Sequence, residues 1–245
     1  MNTFFNALAK GLTTGLCAAL LLGATGQAAA QEATIRRNLT ERLPQLDRID
    51  DISRAPINGL FEVRIGSDIY YTDAEGNYLI EGQIIDTRQK RNITQERIDK
   101  LLAIPFDQLP LKDAFTVVRG NGKRKLAVFE DPNCGYCKRF ERDLQKIDNV
   151  TVHFFLLPIL GKDSVDKAQH IWCARDRFKV WQDWMLNNQT PPSASCDTAA
   201  VTRNVDFGRK NRISGTPTLF LADGTRVPGA ISPQQLEKLL ADASK

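Results

Sequence analysis

The chain has 245 residues, 42% hydrophobic and 25% charged, the balance of an ordinary globular protein, which excludes a disordered tail or a fibrous repeat. Lys and Arg total 33 against 29 Asp and Glu, and this formal net charge of +4 is too small an excess to imply nucleic acid as a partner. Five Cys and two His exclude a His-rich metal centre and leave cysteine as the most informative residue type.

Residues 1–30 read as a signal peptide. Lys10 precedes an apolar stretch from Gly11 to Ala24, and Ala28-Ala29-Ala30 supplies the small-x-small pattern for cleavage before Gln31. Cys17 lies inside the apolar core and leaves with it. No later segment approaches the roughly 18 apolar residues of a membrane span, so no stable membrane insertion is expected. The mature chain then carries Cys134, Cys137, Cys173 and Cys196, an even set in a protein bound for an oxidising compartment.

Ile35, Leu39 and Leu43 recur at helical spacing, which predicts a short helix over 32–43 ended by Pro44. From Gly59 to Thr87 the pattern changes. Leu60 to Ile65, Ile69 to Tyr71, Tyr78 to Ile80 and Gln83 to Ile85 predict one small antiparallel sheet of three to five strands. A sheet domain of about sixty residues has a marginal core, and pairing with a second copy is one way to cover it. Asn92 to Ile104 predicts a linker helix with Thr94 as its cap and Ile98, Leu101 and Leu102 on its apolar side. The expected organisation is α+β: an N-terminal domain over 31–91, a linker helix and connection over 92–111, and a second domain over 112–245.

That second domain alternates strand and helix. Phe115 to Val118, Arg124 to Phe129 and Val150 to Leu157 predict strands, and Tyr136 to Ile147 an amphipathic helix. One long helical region spans Ser164 to about Asn187, its Trp and Phe residues read as core, and another helix spans Asp197 to Arg209. Thr218 to Leu221 and Thr225 to Val227 form a hairpin, and Ser232-Pro233 opens a last helix with a Ser cap and Pro in the first turn.

The sharpest motif is Cys134-Gly135-Tyr136-Cys137 at the junction of strand and helix. Two intervening residues let the first helical turn hold both sulfurs within bonding reach, and Gly135 removes side-chain bulk between them. Cys134, at the helix N-terminus, meets unpaired N–H groups that favour a thiolate, so it is the expected attacking group. Cys137, one turn inward, is the expected resolving thiol. Lys138 and Arg139 add positive charge nearby. A lone C-x-x-C also fits half of a zinc site or an inert disulfide. Yet Cys173, Cys196, His153 and His170 lack the paired spacing of zinc ligands, and a stapling bridge has no need of a strand-to-helix junction. Cys173 and Cys196, around the Pro191-Pro192 break, read as a structural disulfide or as a second redox pair. Pro217 in Gly215-Thr216-Pro217-Thr218 opens a strand and reads as an ordinary edge or turn residue, with a cis bond as the lesser alternative.

Together these stretches resemble the DsbC/DsbG family of the thioredoxin-like superfamily. The resemblance rests on Asn58 to Val63, Tyr78 to Gly82, Asn92-Ile93-Thr94, Phe129 to Cys137 and Gly215 to Thr218. It implies a thioredoxin-like catalytic domain preceded by a small cystatin-like dimerisation domain, and a homodimer whose two dithiols face a common cleft. It implies that Pro217 is cis beside Cys134, that the Thr216 backbone binds an extended substrate chain, and that Cys173 and Cys196 form the structural bridge. The implied activity is isomerisation of non-native disulfides in misfolded exported proteins, with chaperone activity beside it, in the periplasm of a Gram-negative bacterium. The implied partners are the membrane thiol reductant DsbD, which keeps the dithiol reduced, and not the oxidant DsbB; no metal and no organic cofactor is called for. The chaperone-like branch usually has Pro where this chain has Gly135. An oxidase would use the same dithiol held oxidised, and a holdase would use the cleft with little dependence on Cys134. Many thioredoxin-like proteins carry a buried acid where this chain has Val128, so deprotonation of Cys137 falls to water, Glu130 or another group.

Overall fold

The computed structural model describes residues 16–46 and 48–244, with side chains from residue 29 onward. The first half of the expected signal peptide therefore lies outside the described residues. The chain divides into two compact units, with the break between Ile98 and Asp99.

The first unit begins with α1 (Leu16–Arg42), which runs unbroken past the expected cleavage point. It is longer than the helix predicted over 32–43 because the Ala-rich segment before Gln31 has high helix propensity. Four antiparallel strands follow, β1 (Asp51–Arg54), β2 (Leu60–Ile65), β3 (Asp68–Asp73) and β4 (Leu79–Ile80), in that spatial order. The β2–β3 hairpin closes through Gly66-Ser67, with Gly66 at φ +63°, the left-handed value that such a two-residue turn demands. Ile35 and Leu39 of α1 pack on Ile52, Phe61 and Val63, and burial of each large side chain contributes about 2 kcal/mol. Asn38 of α1 donates to the Glu75 carbonyl at 2.7 Å, so the helix also grips the β3–β4 turn.

Two expectations for this unit need correction. Gln83 to Ile85 does not continue the sheet: β5 (Ile85–Asp86) pairs with β6 (Arg91–Asn92) in a separate ribbon. Asp86 drives this, because its carboxylate accepts from the Arg88 and Gln89 N–H groups and closes a tight turn. Thr94 does not cap α2 (Ile93–Leu101) either. Asn92 does, accepting from the Gln95 N–H at 3.0 Å, while Thr94 is buried and bonds to the Tyr71 hydroxyl and the Ile84 N–H.

The second unit is a five-stranded sheet with helices on both faces. Its strands are β7 (Phe115–Arg119), β8 (Arg124–Glu130), β9 (Val150–Leu156), β10 (Thr218–Leu221) and β11 (Arg226–Pro228), ordered β11-β10-β8-β9-β7. Only β8 and β9 run parallel, joined through α3 (Gly135–Leu144). Alternation along β8 decides what each face receives. Leu126 and Val128 meet the core of α3, α4 (Lys162–Cys173), α5 (Arg177–Asn187) and α7 (Pro233–Asp242). Ala127 and Phe129 meet Phe155, Phe220 and Ile213, on the side of α6 (Ala199–Lys210).

The long helical region predicted from Ser164 is two helices. The chain breaks at 174–176, and Asp176 starts α5 afresh by accepting from the Lys179 N–H at 3.0 Å. The final helix has Ser232 as its cap in a reciprocal pair with Gln235, and Pro233 in its first turn.

Candidate active site

The dithiol stands where β8 hands over to α3. Cys134 is the N-cap residue, in extended conformation, and its sulfur accepts from the Cys137 N–H at 3.2 Å. The turn leading to it is fixed from below by Asp131, fully buried. One carboxylate oxygen of Asp131 accepts from the Asn133 N–H and the Ser164 hydroxyl, each at 2.7 Å. The other accepts from the Ile159 and Leu160 N–H groups at 2.7 and 2.9 Å. Trp184 adds a bond from Nε1 to the Pro132 carbonyl at 2.6 Å. A buried carboxylate with four donors is a rigid anchor, so the cysteine turn is tied at once to α4 and to the loop after β9.

From the far side comes the loop before β10. The Thr216–Pro217 bond is cis, and when protonated the Cys134 thiol donates to the Thr216 carbonyl at 3.2 Å. The sequence-distant Cys134, Cys137, Thr216 and Pro217 are thus brought together, with Tyr136 standing 70% exposed at the rim. A groove of about 460 Å³, lined mainly by Leu157, Ile159, Leu160, Val205 and Ile213 with Arg209 and Arg212, includes Ser214, two residues before Thr216.

The two thiols are electrostatically unlike. Hydrogen bonds from Cys137, from Thr216 and from the backbone N–H groups of Cys137 and Tyr136 bring the Cys134 thiol down to about 6, against the opposing effect of burial. Burial pushes the Cys137 thiol far up, reinforced by its hydrogen bond to Cys134 and by the neighbouring Glu130. At neutral pH the first sulfur is a thiolate and the second a thiol. Such a pair can form a mixed disulfide at Cys134 and open it again from Cys137.

Three details differ from the reading of the sequence. A Cβ on Gly135 would meet nothing within 4 Å, so the glycine relieves no crowding inside this chain and instead leaves open space above the sulfurs. Lys138 does not set the thiolate: its ammonium lies 3.8 Å from the Trp184 ring centre and bonds to Asn188 at 2.6 Å. Glu141, unremarked in the sequence, is fully buried on α3 and accepts from Trp181 Nε1 at 3.0 Å. Its signal was its position among Cys137, Phe140 and Leu144, the apolar face of the helix.

Cys173 and Cys196 lie elsewhere. They are bonded to each other across a separation of 23 residues, and link the end of α4 to the segment before α6. Cys134 and Cys137 are both free.

A reactive dithiol capping a helix, beside a cis proline loop on this sheet, defines a thioredoxin-like thiol–disulfide oxidoreductase. The thioredoxin-like domain family matches residues 111–244, and the N-terminal domain family of disulfide bond isomerase proteins matches residues 26–95. A probable thiol:disulfide interchange protein DsbC from Bordetella parapertussis is 46% identical over 210 residues, 86% of this chain and 74% of the relative. The thiol:disulfide interchange protein DsbC of Escherichia coli is 29% identical over 232 residues, 92% of this chain and 94% of its own. The crystal structure of a disulfide interchange protein from Neisseria gonorrhoeae superposes with a TM-score of 0.53 at 40% identity, covering 56% of this chain and 99% of that one. The chain belongs to the DsbC family.

Proposed function

We propose that this protein isomerises non-native disulfides in exported proteins, working in the periplasm as a homodimer with Cys134 as nucleophile and Cys137 as resolving thiol. The observation that carries this reading is the contrast between the two sulfurs: Cys134 ionised at about 6 at the helix start, and Cys137 buried and protonated behind it.

The Cys134 thiolate attacks a substrate disulfide, forming a Cys134–substrate bond and releasing one substrate thiolate. That thiolate attacks a different substrate disulfide, and the thiolate freed last displaces Cys134, so the count of disulfides is unchanged. If rearrangement stalls, Cys137 attacks Cys134, the substrate leaves reduced by two electrons, and the enzyme is left oxidised. A membrane reductant of the DsbD kind then restores the dithiol. The Thr216 carbonyl offers an acceptor to a substrate chain lying extended across Cys134, and the groove at Ser214 receives an apolar side chain from that chain. The Cys173–Cys196 bond serves stability. The match of residues 26–95 to the isomerase N-terminal family supports dimerisation through the first unit, and a chaperone contribution follows from two apolar grooves in one dimer.

Trapping tests the roles of the two thiols. Cys137→Ser accumulates a mixed disulfide at Cys134 that mass spectrometry of tryptic peptides identifies, whereas Cys134→Ser yields none. Absence of any Cys134-linked substrate in Cys137→Ser contradicts the assignment.

A further inference from the structure

Beneath the dithiol lie two carboxyl groups that the exchange steps above do not use. Glu130, the last residue of β8, shares its face with Leu126 and Val128, so its side chain enters the core below α3. It is 1% exposed and Glu141 is fully buried. Glu130 faces Cys137 on one side and Glu141 on the other. Both oxygens of Glu130 and Oε2 of Glu141 lack a hydrogen-bond partner among the described residues; only Oε1 of Glu141 has one, the Trp181 indole.

Two ionised carboxylates cannot share such a site, since each is buried away from solvent and repels the other. One proton between them supplies the missing donor and leaves a single negative charge. Other groups decide where that charge rests. Arg119, at the end of β7, attracts Glu141, with Asp148 acting on Arg119 in turn. The Arg119 guanidinium donates to the Leu144 carbonyl and leaves Nη2 without a partner. Trp181 adds its N–H from α5. Glu141, Cys134 and Cys137 act on Glu130, and burial together with these neighbours pushes its carboxyl well up. The resting proton is therefore on Glu130 and the charge on Glu141.

We propose that Glu130 and Glu141 form a two-carboxyl proton relay for Cys137, Glu130 beside the thiol taking its proton and Glu141 serving as the terminal acceptor behind it. This rests on the thiol–disulfide reading of the dithiol. As the Cys137 sulfur bonds to Cys134 and the Cys134–substrate bond breaks, the Cys137 proton passes to one oxygen of Glu130 while the proton on its other oxygen passes to Glu141. The substrate sulfur leaves as thiolate with the electron pair. Re-reduction runs the relay backwards and returns a proton to Cys137. A carboxylic acid can accept and donate at once in this way; an amide in its place cannot.

Ellman's reagent reads both steps on the full reduced chain. Attack by Cys134 releases the first thionitrobenzoate and resolution by Cys137 the second, in separate phases. The relay predicts that Glu130→Gln and Glu141→Gln each lower the ratio of second- to first-phase rate about 10²-fold at neutral pH. It predicts that the double variant loses no more than either single one, because both lie on one path. In the native chain the ratio rises with pH as the doubly protonated pair gives up one proton, leaving Glu141 charged, and then levels. In the variants it climbs steadily instead, since only solvent remains to deprotonate Cys137. The amide oxygen that Glu141→Gln introduces still accepts from Trp181, so this variant carries the test alone if Glu130→Gln does not fold. A native ratio and pH profile in either folded variant, or additive losses in the double, overturns the relay. Absence of the first phase in the native chain would refute the thiol reading itself, a separate result.

Discussion

Cys134 and Cys137 are the same residue type three positions apart, and their surroundings make them opposite in character. One sulfur receives N–H donors at a helix start; the other is sealed under its own helix. The reaction rate of Cys134 with iodoacetamide should rise with a midpoint at about pH 6 and level above it, falling about tenfold for each pH unit below. Its ordinary value of 9 lies above the folded one, so ionisation stabilises the reduced fold fully above pH 9 and this contribution is lost as pH falls through 6. A midpoint near 9 in the alkylation profile would contradict the hydrogen bonds assigned to this sulfur. The spacing of the motif made the two sulfurs legible, because a helix start is a local property. The role of Gly135 was not, since open space above a residue depends on what the rest of the fold leaves empty. Glu141 escaped notice for a related reason: a glutamate on an amphipathic helix reads as solvated, and only the depth of the helix in the core turns it inward.

At the scale of elements, some strands and caps follow from short-range contacts. The β10–β11 hairpin and the Ser232-Pro233 helix start follow from neighbouring residues. The single helix predicted from Ser164 failed because the break at 174–176 depends on Asp176 capping α5 and on Cys173 being tied to Cys196. The ribbon of β5 and β6 was missed because apolar alternation at Gln83 to Ile85 resembles that of the sheet, while the turn made by Asp86 diverts the chain. The disulfide closes a 23-residue separation, and loss of its constraint on the unfolded chain costs about 3 kcal/mol. Denaturant unfolding of a Cys173→Ala, Cys196→Ala double variant should show a loss of that size, with Cys134 alkylation unchanged. A loss below about 0.5 kcal/mol would mean that packing of α4 and α6 alone fixes this region.

For the whole molecule, the division into two units separates the dithiol from the small sheet. The dithiol, Thr216, Pro217 and the Glu130–Glu141 pair all belong to residues 99–245, whereas the small sheet contributes none of them. A chain lacking residues 31–98 should sediment as a monomer and still react at Cys134, yet repair multi-disulfide substrates poorly. Equal repair by that truncation would contradict a role for dimerisation in organising the substrate. The central claim is that this fold rearranges disulfides through Cys134, and its most direct test is recovery of activity from a scrambled multi-disulfide protein in a defined thiol buffer. Native chain and Cys134→Ser are compared at matched chain concentration. Recovery with the native chain and none above buffer with Cys134→Ser is the predicted result; equal recovery with both would contradict it and leave a binding role in which the dithiol takes no part.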